Sequence, residues 1–121
     1  MNALRAIALI PTLLLLAFHA GAQNVAAGKQ AYAQCAACHS IDGSVGVGPS
    51  LQGVNGRLAG SAPGFRFSRA MKGAGYTWDA KTLDAYIANP QKAVPGNVMP
   101  YAGLDDAKQR ADLIAYLASL K

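Results

Sequence analysis

Cys35-Ala36-Ala37-Cys38-His39 constrains this 121-residue chain more than any other stretch. Two thiols three positions apart, followed at once by an imidazole, is the spacing for covalent attachment of c-type haem. The thiols must reach two vinyl groups along one edge of a porphyrin. The next side chain must then turn under the ring as the proximal iron ligand. Cys35 and Cys38 are the chain's two cysteines, and His39 shares the sequence with one other histidine, His19. Competing uses of the motif are poorly supported. A disulfide across so short a span is geometrically tight. A zinc site lacks ligands, because His19 falls in the N-terminal leader. A thioredoxin-type redox pair belongs in a strand-rich βαβ setting, and strand signals are nearly absent here.

The N-terminal segment has the features of an export signal. Arg5 precedes the apolar stretch Ala6 to Phe18, and Ala20-Gly21-Ala22 has the small-x-small form of a cleavage site. Residues 1–22 are therefore expected to be a signal peptide removed after Ala22, and residues 23–121 one domain. The apolar stretch is short for a membrane span, and Pro11 inside it suits a leader better than an anchor. No stable membrane anchor is expected. A domain of this size buries a marginal core by itself, so the apoprotein is expected to fold poorly until a large apolar cofactor is added. The formal net charge of +5 falls by one when Arg5 leaves with the leader. Lys and Arg are scattered singly with no run and no aromatic interleaving, which argues against nucleic-acid binding.

The remaining pattern predicts helices tied by Gly/Pro-rich loops. Asn24 is expected to cap a first helix over Val25 to Gln34, with Val25 and Tyr32 on its apolar side. Thr77 or Asp79 caps a middle helix that Pro90 stops after Asn89, with Leu83, Tyr86 and Ile87 on one face. Asp105 or Asp106 starts a last helix that turns Leu113, Ile114, Tyr116, Leu117 and Leu120 inward. Lys108, Gln109, Arg110 and Asp112 are expected to face away. Most of the glycines fall between His39 and Thr77, a loop with room for one short helix near Ser68 to Lys72. A loop that long in a small domain is expected to wrap something, here haem.

A proximal histidine leaves one iron position to fill. Met99 lies between Pro95 and Pro100 in a segment, 89–101, whose three prolines forbid helix and stiffen the backbone. Met71 is the rival, but it reads as part of the short helix, where methionine more often packs a core. Met99 is favoured. His/Met ligation would raise the reduction potential relative to two histidines and leave no open iron position.

Taken together, these residues resemble the class I cytochromes c, especially the mitochondrial and bacterial cytochrome c2 type. The likeness runs from Gly28-Lys29 through the haem pentapeptide, Gly48-Pro49-Ser50-Leu51, Gly56-Arg57, Ala62-Pro63-Gly64-Phe65, Tyr76-Thr77-Trp78 and Pro95-Gly96-Asn97-Val98-Met99. It continues through Tyr101-Ala102-Gly103 to Arg110-Ala111-Asp112-Leu113-Ile114-Ala115-Tyr116-Leu117. It implies an all-α class I cytochrome c fold around one haem c held by Cys35 and Cys38, with His39 and Met99 on the iron. It further implies that the Pro49 carbonyl fixes the His39 imidazole, and that Trp78 and Arg57 hold a propionate. Tyr86 would donate toward the Met99 sulfur, and Gly28 and Tyr32 would pack on Leu113 and Tyr116. Three positions differ from the family pattern. Phe67 stands where a propionate-binding tyrosine is common, Met71 replaces an asparagine, and Asn97 replaces a threonine near the second propionate.

The function implied is a soluble, monomeric one-electron carrier of the bacterial periplasm, where haem is joined to exported apoprotein. Its partners would be a quinol:cytochrome c oxidoreductase and a terminal oxidase or other acceptor, in respiration or photosynthesis. It is not expected to be an enzyme. A haem peroxidase needs an open iron site and usually a second haem, and a gas sensor would leave Met99 off the iron. The positions resembling the family's docking lysines hold Gln34, Gln91, Val98 and Asp105. Docking is therefore expected to use apolar contacts around Ala36, Val98 and Tyr101.

Overall fold

Helices begin where capping side chains stand. In the computed structural model, which describes residues 23–121, the Asn24 carboxamide accepts from the Ala27 amide at 3.0 Å and opens α1, Val25–Ala31. A 3₁₀ turn, Tyr32–Gln34, replaces the expected last helical turn and leads into Cys35. Ser68 caps α2, Arg69–Lys72. Asp79, rather than Thr77, caps α3, Ala80–Ala88, in a reciprocal box with Thr82. Each cap satisfies a first-turn amide that has no partner within its own helix. The expected leader, residues 1–22, lies outside the described residues.

Pro90 ends α3, as expected, but it also starts a new helix. Asn89 accepts from the Lys92 amide at 3.1 Å, and α4 runs Pro90–Ala93 with the proline at its first position. The missing proline N–H costs nothing there, because first-turn amides have no partner within the helix. The expectation of no helix across 89–101 is thus corrected by one turn. Asp106, not Asp105, opens α5, Ala107–Ser119.

The core lies between α1, α3 and α5, and the long loop closes over it. Leu83 and Tyr86 from α3 and Leu113, Ile114, Tyr116 and Leu117 from α5 are buried with Met71 from α2 and Val54 and Trp78 from the loop. Among the described residues there is no β-strand, only an isolated bridge between Leu58 and Thr77. The loop is pinned through its backbone beside that bridge, with Trp78 N–H donating to the Arg57 carbonyl at 2.9 Å and Ala59 N–H to that of Tyr76 at 2.9 Å.

Two expectations about helix faces are corrected. Val25 is 47% exposed and lies off the core, whereas Asp112 is only 6% exposed. The buried carboxylate takes the Asn24 amide at 2.8 Å and Lys108 Nζ at 2.5 Å. These bonds, Lys108's first, hold its pKa below the usual carboxylate range. Asp112 thereby fastens the start of α1 to α5. Arg110 reaches the other way, to Asp84 of α3 at 2.7 Å.

The α1–α5 crossing depends on the absence of a side chain at Gly28. A Cβ there would stand 1.9 Å from the Asp112 carbonyl oxygen and 2.8 Å from Tyr116 Cβ. Tyr32 packs beside it on Tyr116, with ring centroids 5.6 Å apart. Since backbone cannot yield as a flexible side chain can, Gly28→Ala is expected to cost about 3 kcal/mol by forcing the helices apart. Guanidinium unfolding of the holoprotein checks this. A loss within about 0.5 kcal/mol would show that the crossing has slack.

Candidate cofactor site

Behind the 3₁₀ turn the chain coils tightly, with Cys35 N–H donating to the Tyr32 carbonyl at 2.8 Å and His39 N–H to that of Cys35 at 3.0 Å. The turn brings Cys35, Cys38 and His39 to the wall of a single cavity of about 290 Å³. The Tyr32 hydroxyl closes the turn by donating to the His39 carbonyl. The two sulfurs are not joined in a disulfide. Burial, with Cys38 nearby, raises the Cys35 pKa. Among the described residues no three His, Cys, Asp or Glu side chains gather as a metal site.

His39 is held as the resemblance implied. Its Nδ1 lies 2.7 Å from the Pro49 carbonyl oxygen, so Nδ1 carries the proton and Nε2 is the nitrogen free to bind a metal. Gly48 presses on the same ring. A Cβ at that position would come within 2.6 Å of His39 Cε1. The sequence reading gave Gly48 no role of its own. Its signal was its place directly before the proline whose carbonyl must approach the imidazole.

Met99 lines the cavity too, and the Tyr86 hydroxyl donates toward its sulfur at 3.9 Å. Burial, then Tyr76, pushes the Tyr86 pKa up to about 12, so the hydroxyl keeps its proton throughout the physiological range. Trp78 packs against this tyrosine at a tilt of 60°, with ring centroids 5.1 Å apart. Met71 is buried in the cavity wall as well, and Phe67 lies on it edge-on to Phe65. Neither Met71 nor Phe67 brings a polar group to replace the asparagine or tyrosine common in the family.

Arg57 is the one Lys or Arg on the cavity wall among the described residues. Two of its N–H groups go to the Gln52 and Ser50 carbonyls at 3.1 and 2.9 Å, leaving others to meet an anion. Trp78 lines the same wall. Asn97, expected among the cofactor-binding residues, lines the cavity too. Its side-chain amide is spent on the Pro90 and Val94 carbonyls at 2.8 and 2.9 Å, so it has no donor left for a propionate. At the cavity mouth, the Tyr101 hydroxyl donates to Gln34 Oε1 at 2.6 Å, a link between the Met99 segment and the haem turn that sequence did not suggest.

This donor set fits a haem. It combines two free thiols, an imidazole with only Nε2 to offer, a soft thioether, a cation for carboxylates and largely apolar walls. No helix of the described residues is long and apolar enough to cross a membrane.

Comparison with known proteins agrees with the geometry. The cytochrome c family model matches residues 25–121. Cytochrome c2 of Rhodomicrobium vannielii is 48% identical over 94 residues, 76% of this chain and 75% of that protein. Cytochrome c of Tetrahymena pyriformis is 48% identical over 98 residues, covering 80% of this chain and 89% of its own length. Among solved structures, cytochrome cH from Methylobacterium extorquens superposes with a TM-score of 0.77 at 46% identity, over 79% of this chain and 98% of its own.

Proposed function

The chain belongs to the cytochrome c family, with its class I fold and haem c on Cys35 and Cys38, and from that premise we propose a monomeric electron carrier with His39 and Met99 on the iron. It works in a bacterial periplasm, taking electrons from a quinol:cytochrome c oxidoreductase and giving them to a terminal oxidase or comparable acceptor. The haem supplies the one-electron couple. One observation carries the reading: two side chains suited to iron line the same cavity, each already oriented by a protein hydrogen bond, His39 by Pro49 and Met99 by Tyr86. Held by His39 and Met99, the iron would keep no open position for substrate, and the soft sulfur would favour the ferrous state. Arg57 and Trp78 would hold a propionate. The cytochrome c2 relatives and the export-like leader support the periplasmic setting.

Reduction of the ferric holoprotein by quinol-oxidising bacterial membranes tests the carrier role. Rapid, saturable reduction is expected, and failure to accept electrons from any such membrane counts against it. The mouth of the cavity also makes a prediction about docking. Val47 and Val98 stand there 71% exposed, whereas Gln34 and Tyr101 present a neutral pair. With so little charge at the mouth, long-range steering is weak. The stopped-flow association rate is expected to change less than about threefold between low and physiological salt, whereas a fall of about tenfold or more would point to a charged docking face.

A further inference from the structure

We propose that Asn97 is a positioning residue for Met99, its carboxamide fixing the backbone from which the thioether hangs. This rests on the reading of Met99 as the sixth ligand. Asn97 is 6% exposed. Its Nδ2 donates to the Pro90 and Val94 carbonyls at 2.8 and 2.9 Å, and its Oδ1 accepts from the Met99 amide at 3.0 Å and lies 3.4 Å from the Tyr86 hydroxyl, whose single proton is shared between this oxygen and the Met99 sulfur. Both donors and one acceptor site are thereby occupied outright, and the second acceptor site shares the Tyr86 proton. The side chain welds three things together: the α4 turn, the methionine backbone and the tyrosine that faces the sulfur.

No shorter side chain supplies that set. A threonine or serine hydroxyl has a single donor and sits closer to the backbone, so it cannot bridge two carbonyls while accepting from the Met99 amide. The same segment has a second support from outside, where Gln91 Nε2 donates to the Asn97 carbonyl at 2.8 Å. Val98, between Asn97 and Met99, is 71% exposed and gives the loop little anchorage. Asn97 is thus the group that ties Met99 to the core of the fold.

Removing it leaves the Met99 amide without its buried partner and takes one of two bonds from each of the Pro90 and Val94 carbonyls, which keep the Val94 and Asn97 amides, and this favours conformations in which the loop lifts away. An external iron ligand binds only to such open forms, so its apparent affinity rises with their population. In the ferric holoprotein, Asn97→Ala is expected to bind imidazole about tenfold tighter or more than wild type. Asn89→Ala is the control, since it removes the α4 cap to Lys92 without touching Met99. It is expected to stay within about twofold of wild type. A change of less than twofold in Asn97→Ala, or an equal gain in Asn89→Ala, would overturn the proposal.

If Asn97→Ala gives no holoprotein, hydrogen exchange in the wild type decides. The Met99 amide, held by a buried oxygen, is expected to exchange at least about tenfold more slowly than the exposed Val98 amide. Equal rates would overturn the role of Asn97 whichever residue binds iron. Absence of the sulfur-to-iron absorption band from the wild type would instead overturn the ligand reading.

Discussion

Replacing Met99 by alanine is expected to abolish the long-wavelength sulfur-to-ferric-iron band, to lower the reduction potential by on the order of 0.1 V or more, and to open the ferrous protein to carbon monoxide. The three effects share one cause. Loss of the thioether removes the ligand that favours ferrous iron and vacates its coordination position. Met71→Leu is expected to do none of these, although Met71 is buried in the same cavity wall. The Tyr86 hydroxyl lies 3.9 Å from the Met99 sulfur, which already orients that methionine toward a site, whereas Met71 packs with the core. Spectra and potentiometric titration of the two variants check the assignment. A Met71→Leu protein without the sulfur band, beside a Met99→Ala protein that keeps it, would reverse it.

The second large effect concerns attachment. A Cys35→Ala, Cys38→Ala double variant, exported normally, is expected to lose covalent haem altogether and to accumulate little folded protein. The reason lies in the core. Leu51, Phe65, Phe67 and Ile87 line the cavity while only partly buried by the protein, so a share of this small domain's apolar surface is left for the macrocycle to cover. Acid-acetone extraction checks the bond, and far-ultraviolet circular dichroism checks the fold. Haem resisting extraction from the double variant would show that attachment uses other atoms. Extraction of haem from the wild-type chain would show that no thioether bonds had formed.

Features set by neighbours in sequence were legible in advance, and those set by distant backbone were not. Asn24, Ser68 and Asp79 cap helices because each has an amide of its own first turn within reach. The haem pentapeptide was equally plain, since its chemistry requires the spacing itself. Burial of Asp112 was not, because its partner, the Asn24 amide, lies 88 positions away and the helical period alone turns that residue outward. Nor was the link from Tyr101 to Gln34, 67 positions apart. The bonding of Asn97 was hidden for a related reason. Its partners are carbonyls of a turn that exists only because Pro90 starts a helix where proline was expected simply to stop one. Pairs such as His39 with Pro49 and Tyr86 with Met99 came from the family resemblance, and the geometry bears both out as contacts.

The central claim, that His39 and Met99 close both axial positions so that the protein only passes electrons, is tested most directly by adding carbon monoxide to the dithionite-reduced wild-type holoprotein at neutral pH. The Soret and visible bands are expected to remain unchanged. A stoichiometric shift to a carbon monoxide adduct would show an open iron position and contradict the account.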